Sequence, residues 1–440
     1  MLKRKVYQIL LDWKANKGKE CLLIKGARQI GKTYIVEEFG KREYKSFIEI
    51  NFLKTPSLRS VFSGDLSADE IYKRMSANLP GVKFIKGNTL IFLDEIQRCA
   101  SARTALKFLA EDGRYDVIAS GSLLGLHYGQ DADKEVEEIE SIPVGYERQV
   151  IMYSMDFEEF LWAYGYGQDT VDYLRSLFDK KEKVPSEINW KFENILREYV
   201  VVGGMPEAVQ IFMDTKDFGK VQQIQEKILA AYDDDISNHV KDTEKTKVRA
   251  CYDSLPRQLA REQKKFKYSE VEKRGNARKY GDSITWLKDS NLVHVCYNVF
   301  EPYIPLTANS KTDEYKLYMN DSGLLLAKYG MQTKLAVLNG TIQGNAKGGI
   351  YENVISEMLI KRGYHLHYYK TQNSSMEIEF IIEKEGSVVP VEVKAGSFSS
   401  PSLNCFIATF HPPMAYKLID GNIGVSETKI TLPHYMAMFL

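Results

Sequence analysis

A multidomain α/β fold is predicted for this 440-residue chain, and three observations predict it. Apolar runs alternate with helical patterns over the first 155 residues, the pattern of a parallel sheet covered by helices on both faces. The segment Gly26-Ala27-Arg28-Gln29-Ile30-Gly31-Lys32-Thr33 lies between one such run and one such helix. The continuous apolar run Thr89–Leu93 ends in two acids, Asp94 and Glu95. Strand tips of that kind are where open α/β sheets bind ligands.

In chain order, strands are expected at 21–25, 45–51, 89–94, 115–120 and about 148–154, and helices at 32–42, 68–78 and 101–111. The spacing of Gly26–Thr33 is GxxxxGKT, the phosphate-cradling P-loop, in the strand-to-helix context that the motif requires. Backbone N–H groups from Gly26 through Thr33, with a helix N-terminus behind them, would wrap nucleotide phosphates. Lys32 would reach the β- and γ-phosphates of ATP, and Thr33 would ligate Mg²⁺. Asp94 would complete the metal's shell, while Glu95 would orient or deprotonate an attacking water. Ser120, at the tip of the next strand, is a candidate γ-phosphate sensor, or else part of a plain turn. Arg148 is either an arginine finger, in cis or from a neighbouring copy of the chain, or a surface partner of Glu147.

Bulk composition narrows the rest. With 59 basic and 59 acidic side chains the formal net charge is zero, so no global field steers the chain to nucleic acid. Five scattered cysteines without a CxxC fit neither a disulfide framework nor a zinc knuckle and suit a reducing cytoplasm. The basic start Met1–Lys5 is not followed by an apolar core of signal-peptide length. No apolar run reaches the roughly 18 residues of a membrane span.

Four parts are expected: 1–155, 156–245, 246–335 and 336–440. The second reads as a helical connector or lid. Asp156 and Glu159 form a capping box ahead of Phe157, Phe160, Leu161 and Tyr164, and the charged stretch 177–190 reads as a solvated loop. In the third part, a short helix capped by Ser269, a longer one capped by Asn276 and a strand from Asn291 outline a winged helix. Arg274, Arg278 and Lys279 are its candidate contacts to DNA phosphates, or simply a solvated face. The fourth part has a helix carrying Glu352, then strands carrying Glu379 and Glu392-x-Lys394. Period-two alternation puts Glu392 and Lys394 on one face.

Two resemblances follow. GARQIGKT, LIFLDEIQR, ASGSLLG and PVGYERQVIMYSMDFEEFLWA together resemble a family of prokaryotic AAA-superfamily ATPases joined to a C-terminal domain of unknown function. The likeness extends through Val202–Glu207, Asp234–Ile236, Lys316–Leu324 and Tyr351–Asn353. It implies an AAA-type parallel sheet, Mg-ATP binding and hydrolysis, with Lys32, Thr33, Asp94 and Glu95 in the matching positions. That family often carries its arginine directly after the glycine matching Gly145, where this chain has Tyr146. The C-terminal acids and lysine resemble the PD-(D/E)xK nuclease constellation, a restriction-endonuclease-like α/β domain in which two carboxylates hold Mg²⁺. The family's usual aspartate is Glu379 here, and the extra methylene moves the carboxylate by about 1.5 Å, against a Mg–O distance of about 2.1 Å. The functional expectation is an ATPase acting on or regulated by DNA. The alternatives are a nucleotide-gated nuclease and a nucleotide-switched interaction protein.

Overall fold

The computed structural model describes residues 2–16, 18–122, 145–240, 242–371, 376–396 and 399–440. Leu123–Gly125 of the ASGSLLG motif, and Pro143 and Val144, lie outside them. The chain parts into two compact units, one of Lys3–Tyr153 and one that includes Ser154–Leu440.

The first unit runs α1 (Lys5–Ala15), β1 (Cys21–Gly26), α2 (Lys32–Glu43), β2 (Ser46–Asn51), α3 (Ala68–Asn78), β3 (Thr89–Asp94), α4 (Ala100–Asp112), β4 (Asp116–Ser122) and β5 (Glu147–Ile151). All its strands pair in parallel, in the order β2-β3-β4-β1-β5. Every residue of β1, β3 and β4 is buried, which is why the middle of each strand reads as a short apolar run rather than an alternating one. On one face Ile71 and Met75 of α3 and Leu106 and Leu109 of α4 close over Ile50, Ile91, Leu93, Val117 and Ala119. Each such side chain contributes about 1.5–3 kcal/mol by its burial. The register aligns Gly26 with Ser122 and Asn51 with Asp94, so the C-terminal tips of β1 to β4 stand in one row.

The second unit begins with five helices: α5 (Phe157–Tyr164), α6 (Gln168–Lys180), α7 (Ser186–Val202), α8 (Pro206–Thr215) and α9 (Phe218–His239). Asp156 caps α5 in a full capping box with Glu159. The expected loop over 177–190 is mostly helix. Val171, Leu174 and Leu177 bury one face of α6, while Asn189, Phe192, Ile195 and Leu196 bury one of α7. The charges there mark the outer faces of two helices.

Then follow α10 (Asp242–Leu259), α11 (Ala277–Asp289), β6 (Val293–Val299), β7 (Ser310–Met319), α12 (Ser322–Tyr329), α13 (Met331–Leu338) and α14 (Gly344–Lys361). The chain ends through β8 (His367–Lys370), β9 (Glu377–Lys384), β10 (Ser387–Val393), α15 (Pro401–Phe410), β11 (Ala415–Ile419), β12 (Gly424–Ser426) and β13 (Lys429–Pro433). These strands form one mixed sheet, ordered β12-β13-β11-β10-β9-β8-β6-β7. Asn276 caps α11 as its sequence suggests, whereas Ser269 lies inside a 3-10 turn at Tyr268–Glu270 and caps nothing by its side chain. The expected boundary near 335 does not separate two compact bodies. The hairpin β6–β7 has an open edge on β6, and β8 fills it in parallel, Tyr297 against His367. An unpaired edge exposes a row of backbone N–H and C=O groups, and here the C-terminal strands satisfy it. No helix among the described residues is long and apolar enough to cross a membrane.

Candidate functional site

The row of strand tips in the first unit brings together most of the residues singled out from sequence. Strand β1 delivers Gly26, and the loop turns through Gln29 at φ 67° and Gly31 at φ 86° before α2 starts at Lys32. A Cβ on Gly26 would lie 2.4 Å from the Met152 carbonyl oxygen, so only glycine fits there. The Lys32 ammonium is buried and donates to the carbonyls of Gly26 (3.0 Å) and Ala27 (2.7 Å). Its charge therefore lies inside the curve of its own loop.

Asp94 is 2% exposed, and its carboxylate is fully engaged. Oδ2 accepts from Thr33 Oγ1 at 3.0 Å and from Asn51 Nδ2 at 2.7 Å. Oδ1 accepts from the Ser120 hydroxyl and from the Glu95 backbone N–H at 3.1 Å. Two cis ligands of an octahedral ion at about 2.1 Å stand about 3.0 Å apart, so Thr33 Oγ1 and Asp94 Oδ2 fit Mg²⁺ in neighbouring positions. Glu95 sits just beyond the strand at φ 55°, a conformation rare for a side chain of this kind. Gln97 Nε2 donates to Glu95 Oε2 (2.6 Å) and to Ser122 Oγ (3.3 Å).

Two expectations change. The Ser120 hydroxyl points at Asp94, so it orients that acid instead of standing free at the tip; Ser122, beside Gly26, holds the tip position. Arg148 is exposed on the edge strand β5 and pairs with Leu22, four residues before Gly26 in a parallel register. At about 3.3 Å per residue it lies about 13 Å down the sheet from the loop, so this chain does not bring its own Arg148 to the site. Sequence reading missed Asn51, Gln97 and Ser122. Their only signal is a polar residue at or just past a strand tip, which by itself is common.

In the second unit the four residues of the nuclease-like pattern do assemble, but with company. Lys394 lies 3.0 Å from Glu392 and 3.8 Å from Glu379, whose other oxygen accepts from the Val393 N–H at 3.2 Å. Glu352, however, is held by Lys264 at 2.9 Å, by Lys316 at 3.6 Å and by the Tyr318 hydroxyl at 3.0 Å. Lys316, 1% exposed, also reaches Glu377 at 2.8 Å. Burial opposes charge on Lys316, yet Glu352, Glu377 and Glu379 together hold its pKa above the usual lysine value. Burial likewise drives Glu379 up to about 7, helped by Glu352 and Glu392 and opposed by Lys394. A buried ammonium thus stands between Glu352 and Glu377, on one side of the pattern's acids. Among the described residues no group of three His, Cys, Asp or Glu side chains could hold a metal ion.

Arg278 and Lys279 are exposed at the start of α11, and Arg274 is exposed in the turn before it. Lys279 pairs with Glu272, and the neighbouring Lys265 pairs with Glu314 at 3.0 Å. The remaining family-like segments meet elsewhere, in a buried polar node. Asp321 Oδ2 accepts from the Gly204 N–H at 2.7 Å, and a Cβ on Gly203 would collide with Asp321. Asn353 exchanges two hydrogen bonds with the Met319 backbone (2.7 and 3.1 Å) and donates to Glu357 at 3.0 Å. Lys361 Nζ donates to Ser154 Oγ (2.9 Å), Met155 O (3.2 Å), Tyr199 Oη (3.3 Å) and Glu357 (3.3 Å). The Gly203–Gly204, Asn320–Asp321 and Tyr351–Asn353 segments therefore account for themselves by packing.

Family models match three segments: an AAA domain at residues 18–161, and two domains of unknown function, DUF8612 at 193–335 and DUF4143 at 347–428. The first unit is accordingly an AAA-type P-loop domain. No curated protein matches the chain. Among solved structures, a Walker-type ATPase of Pyrococcus abyssi is 14% identical at a TM-score of 0.41, the match covering 75% of this chain and 96% of that one. AMPPCP-bound DnaA of Aquifex aeolicus is 14% identical at a TM-score of 0.27, over 66% and 88%. A STAND signal-transduction ATPase with a tetratricopeptide repeat sensor from Pyrococcus horikoshii is 12% identical at 0.25, over 82% and 46%.

Proposed function

We propose that this chain, with an AAA-type P-loop domain at its start, binds Mg-ATP and hydrolyses it. The observation that carries the reading is the 3.0 Å approach of Thr33 Oγ1 to Asp94 Oδ2, with Glu95 next in the chain. Thr33 and Asp94 would hold Mg²⁺, which when bound would neutralise charge on the β- and γ-phosphates. Lys32 exchanges its two backbone carbonyls for phosphate oxygens. Glu95 takes the proton of the attacking water, with Gln97 fixing the carboxylate's direction. Ser122 faces the terminal phosphate. Arg148, remote in its own chain, can act as a finger only on a neighbouring copy, which makes a homo-oligomer part of that reading.

Phosphate release from Mg-ATP is the test. Lys32→Ala is expected to lose nucleotide binding. Glu95→Gln is expected to bind but turn over about 10²-fold more slowly or worse. Unchanged release by both variants would refute the assignment.

The C-terminal unit is proposed to act on DNA. Support comes from the exposed Arg278 and Lys279 on a helix followed by a hairpin, with Arg274 exposed in the turn before that helix, the outline of a winged helix. Duplex DNA added to the same assay is expected to change the rate, and charge reversal at these three positions to abolish that change. Binding or assembly is a better reading of Glu352, Glu379, Glu392 and Lys394 than cutting. A divalent ion held by Glu352 would meet the Lys316 ammonium, 3.6 Å from that carboxylate.

A further inference from the structure

Arg4 lies at the N-cap of α1, in extended backbone and only 8% exposed. Its guanidinium spans two carbonyls. Nη1 donates to Ile30 O at 3.1 Å, and Nη2 donates to Tyr153 O at 2.7 Å. Ile30 is the P-loop residue before Gly31, itself 1% exposed. In a trans peptide the C=O and the following N–H point in opposite directions. Drawing the Ile30 oxygen toward Arg4 therefore turns the Gly31 N–H the other way, into the hollow of the loop. Gly31, at φ 86°, has the freest backbone in the motif and the most to lose in being fixed. Arginine suits the task because its donors form a rigid planar fork; a lysine in the same place is a flexible point charge that cannot hold both carbonyls in that geometry.

We infer that Arg4 is a positioning residue for the phosphate site: it sets the Ile30–Gly31 peptide so that the Gly31 N–H is ready for an anion before nucleotide arrives. The inference rests on the nucleotide-binding reading above. It also gives a role to one residue of the basic stretch Met1–Lys5.

The test uses the full chain as wild type, Arg4→Lys and Arg4→Ala. Equilibrium binding of Mg-ATP and of tripolyphosphate is measured by competition against a fluorescent nucleotide, at a temperature well below each variant's own melting point. Arg4→Ala is expected to weaken both ligands by the same factor, about tenfold, the loss of one charge-assisted hydrogen bond. Arg4→Lys is expected to recover little of it. Millimolar guanidinium chloride, but not equal sodium chloride, is expected to restore part of the affinity of Arg4→Ala. Wild-type binding with Arg4→Ala within twofold of it overturns this inference alone. So does full affinity in Arg4→Lys, or a loss for ATP that spares tripolyphosphate. A wild type that binds neither ligand overturns the nucleotide reading and this inference with it.

Discussion

Asp94 shows how one carboxylate becomes a precise part. Four donors, from two strands, a helix start and the residue just past a third strand, converge on its two oxygens: Asn51, Ser120, Thr33 and the Glu95 backbone. Outer partners of a metal ligand typically alter metal affinity by 10–100-fold when removed. Asn51→Ala and Ser120→Ala are each expected to raise the Mg²⁺ concentration for half-maximal phosphate release about tenfold. Ser122→Ala, which leaves Asp94 untouched, is expected to slow release with the Mg²⁺ midpoint unmoved. Titrating Mg²⁺ against phosphate release separates the two, and a constant midpoint in all three variants contradicts these roles. Gly26–Thr33, Asp94 and Glu95 were legible in the sequence because their chemistry is written in contiguous spacing. Arg4, Asn51 and Gln97 were not. Arg4 meets Ile30 across 26 positions and Asn51 meets Asp94 across 43, and only the fold supplies those pairings.

At the scale of elements, helices were more legible than partners. Strands β1 to β4 and helices α2 to α4 follow their apolar periodicity to within about two residues at either end, while the stretch 177–190 misled because charge on an outer face looks like a loop when its buried face is sparse. Helix α14 carries a clearer physical signature. Burial pushes Glu357 up to about 8, against the Lys361 ammonium and helped by Asp321, from an ordinary value of 4.5. The folded helix therefore keeps a proton that the unfolded chain sheds above pH 4.5. Its contribution to stability is complete below that pH, declines as pH rises, and is gone above about 8. The melting temperature is expected to fall more steeply between pH 5.5 and 8.5 in wild type than in Glu357→Gln, whose amide stays neutral throughout. Parallel slopes in the two proteins would show that Glu357 ionises normally.

For the molecule as a whole, the sheet that runs from β12 to β7 binds residues 293–433 into one structure, although the winged-helix outline and the nuclease-like pattern read as separate bodies. The reason this was hidden is plain: β6 and β8 pair in parallel, and nothing local in either strand names the other. The same separation hid Lys264 and Lys316, which stand among the C-terminal acids but come from well before them in the chain. A fragment of residues 246–335 is expected to be insoluble or unfolded, and one of residues 154–440 to melt cooperatively, as checked by circular dichroism and size-exclusion chromatography. A soluble, cooperatively melting 246–335 fragment would show that the hairpin does not need β8. The pairing of β6 with β8 also has a consequence in time. Tyr297 leaves the ribosome 70 residues before its partner His367. At about 5–20 residues per second this edge of β6 waits roughly 4–14 s for its partner. During synthesis, then, this strand is the place where a holding chaperone or a second nascent chain has its opportunity, and the window closes only when the last quarter of the protein emerges.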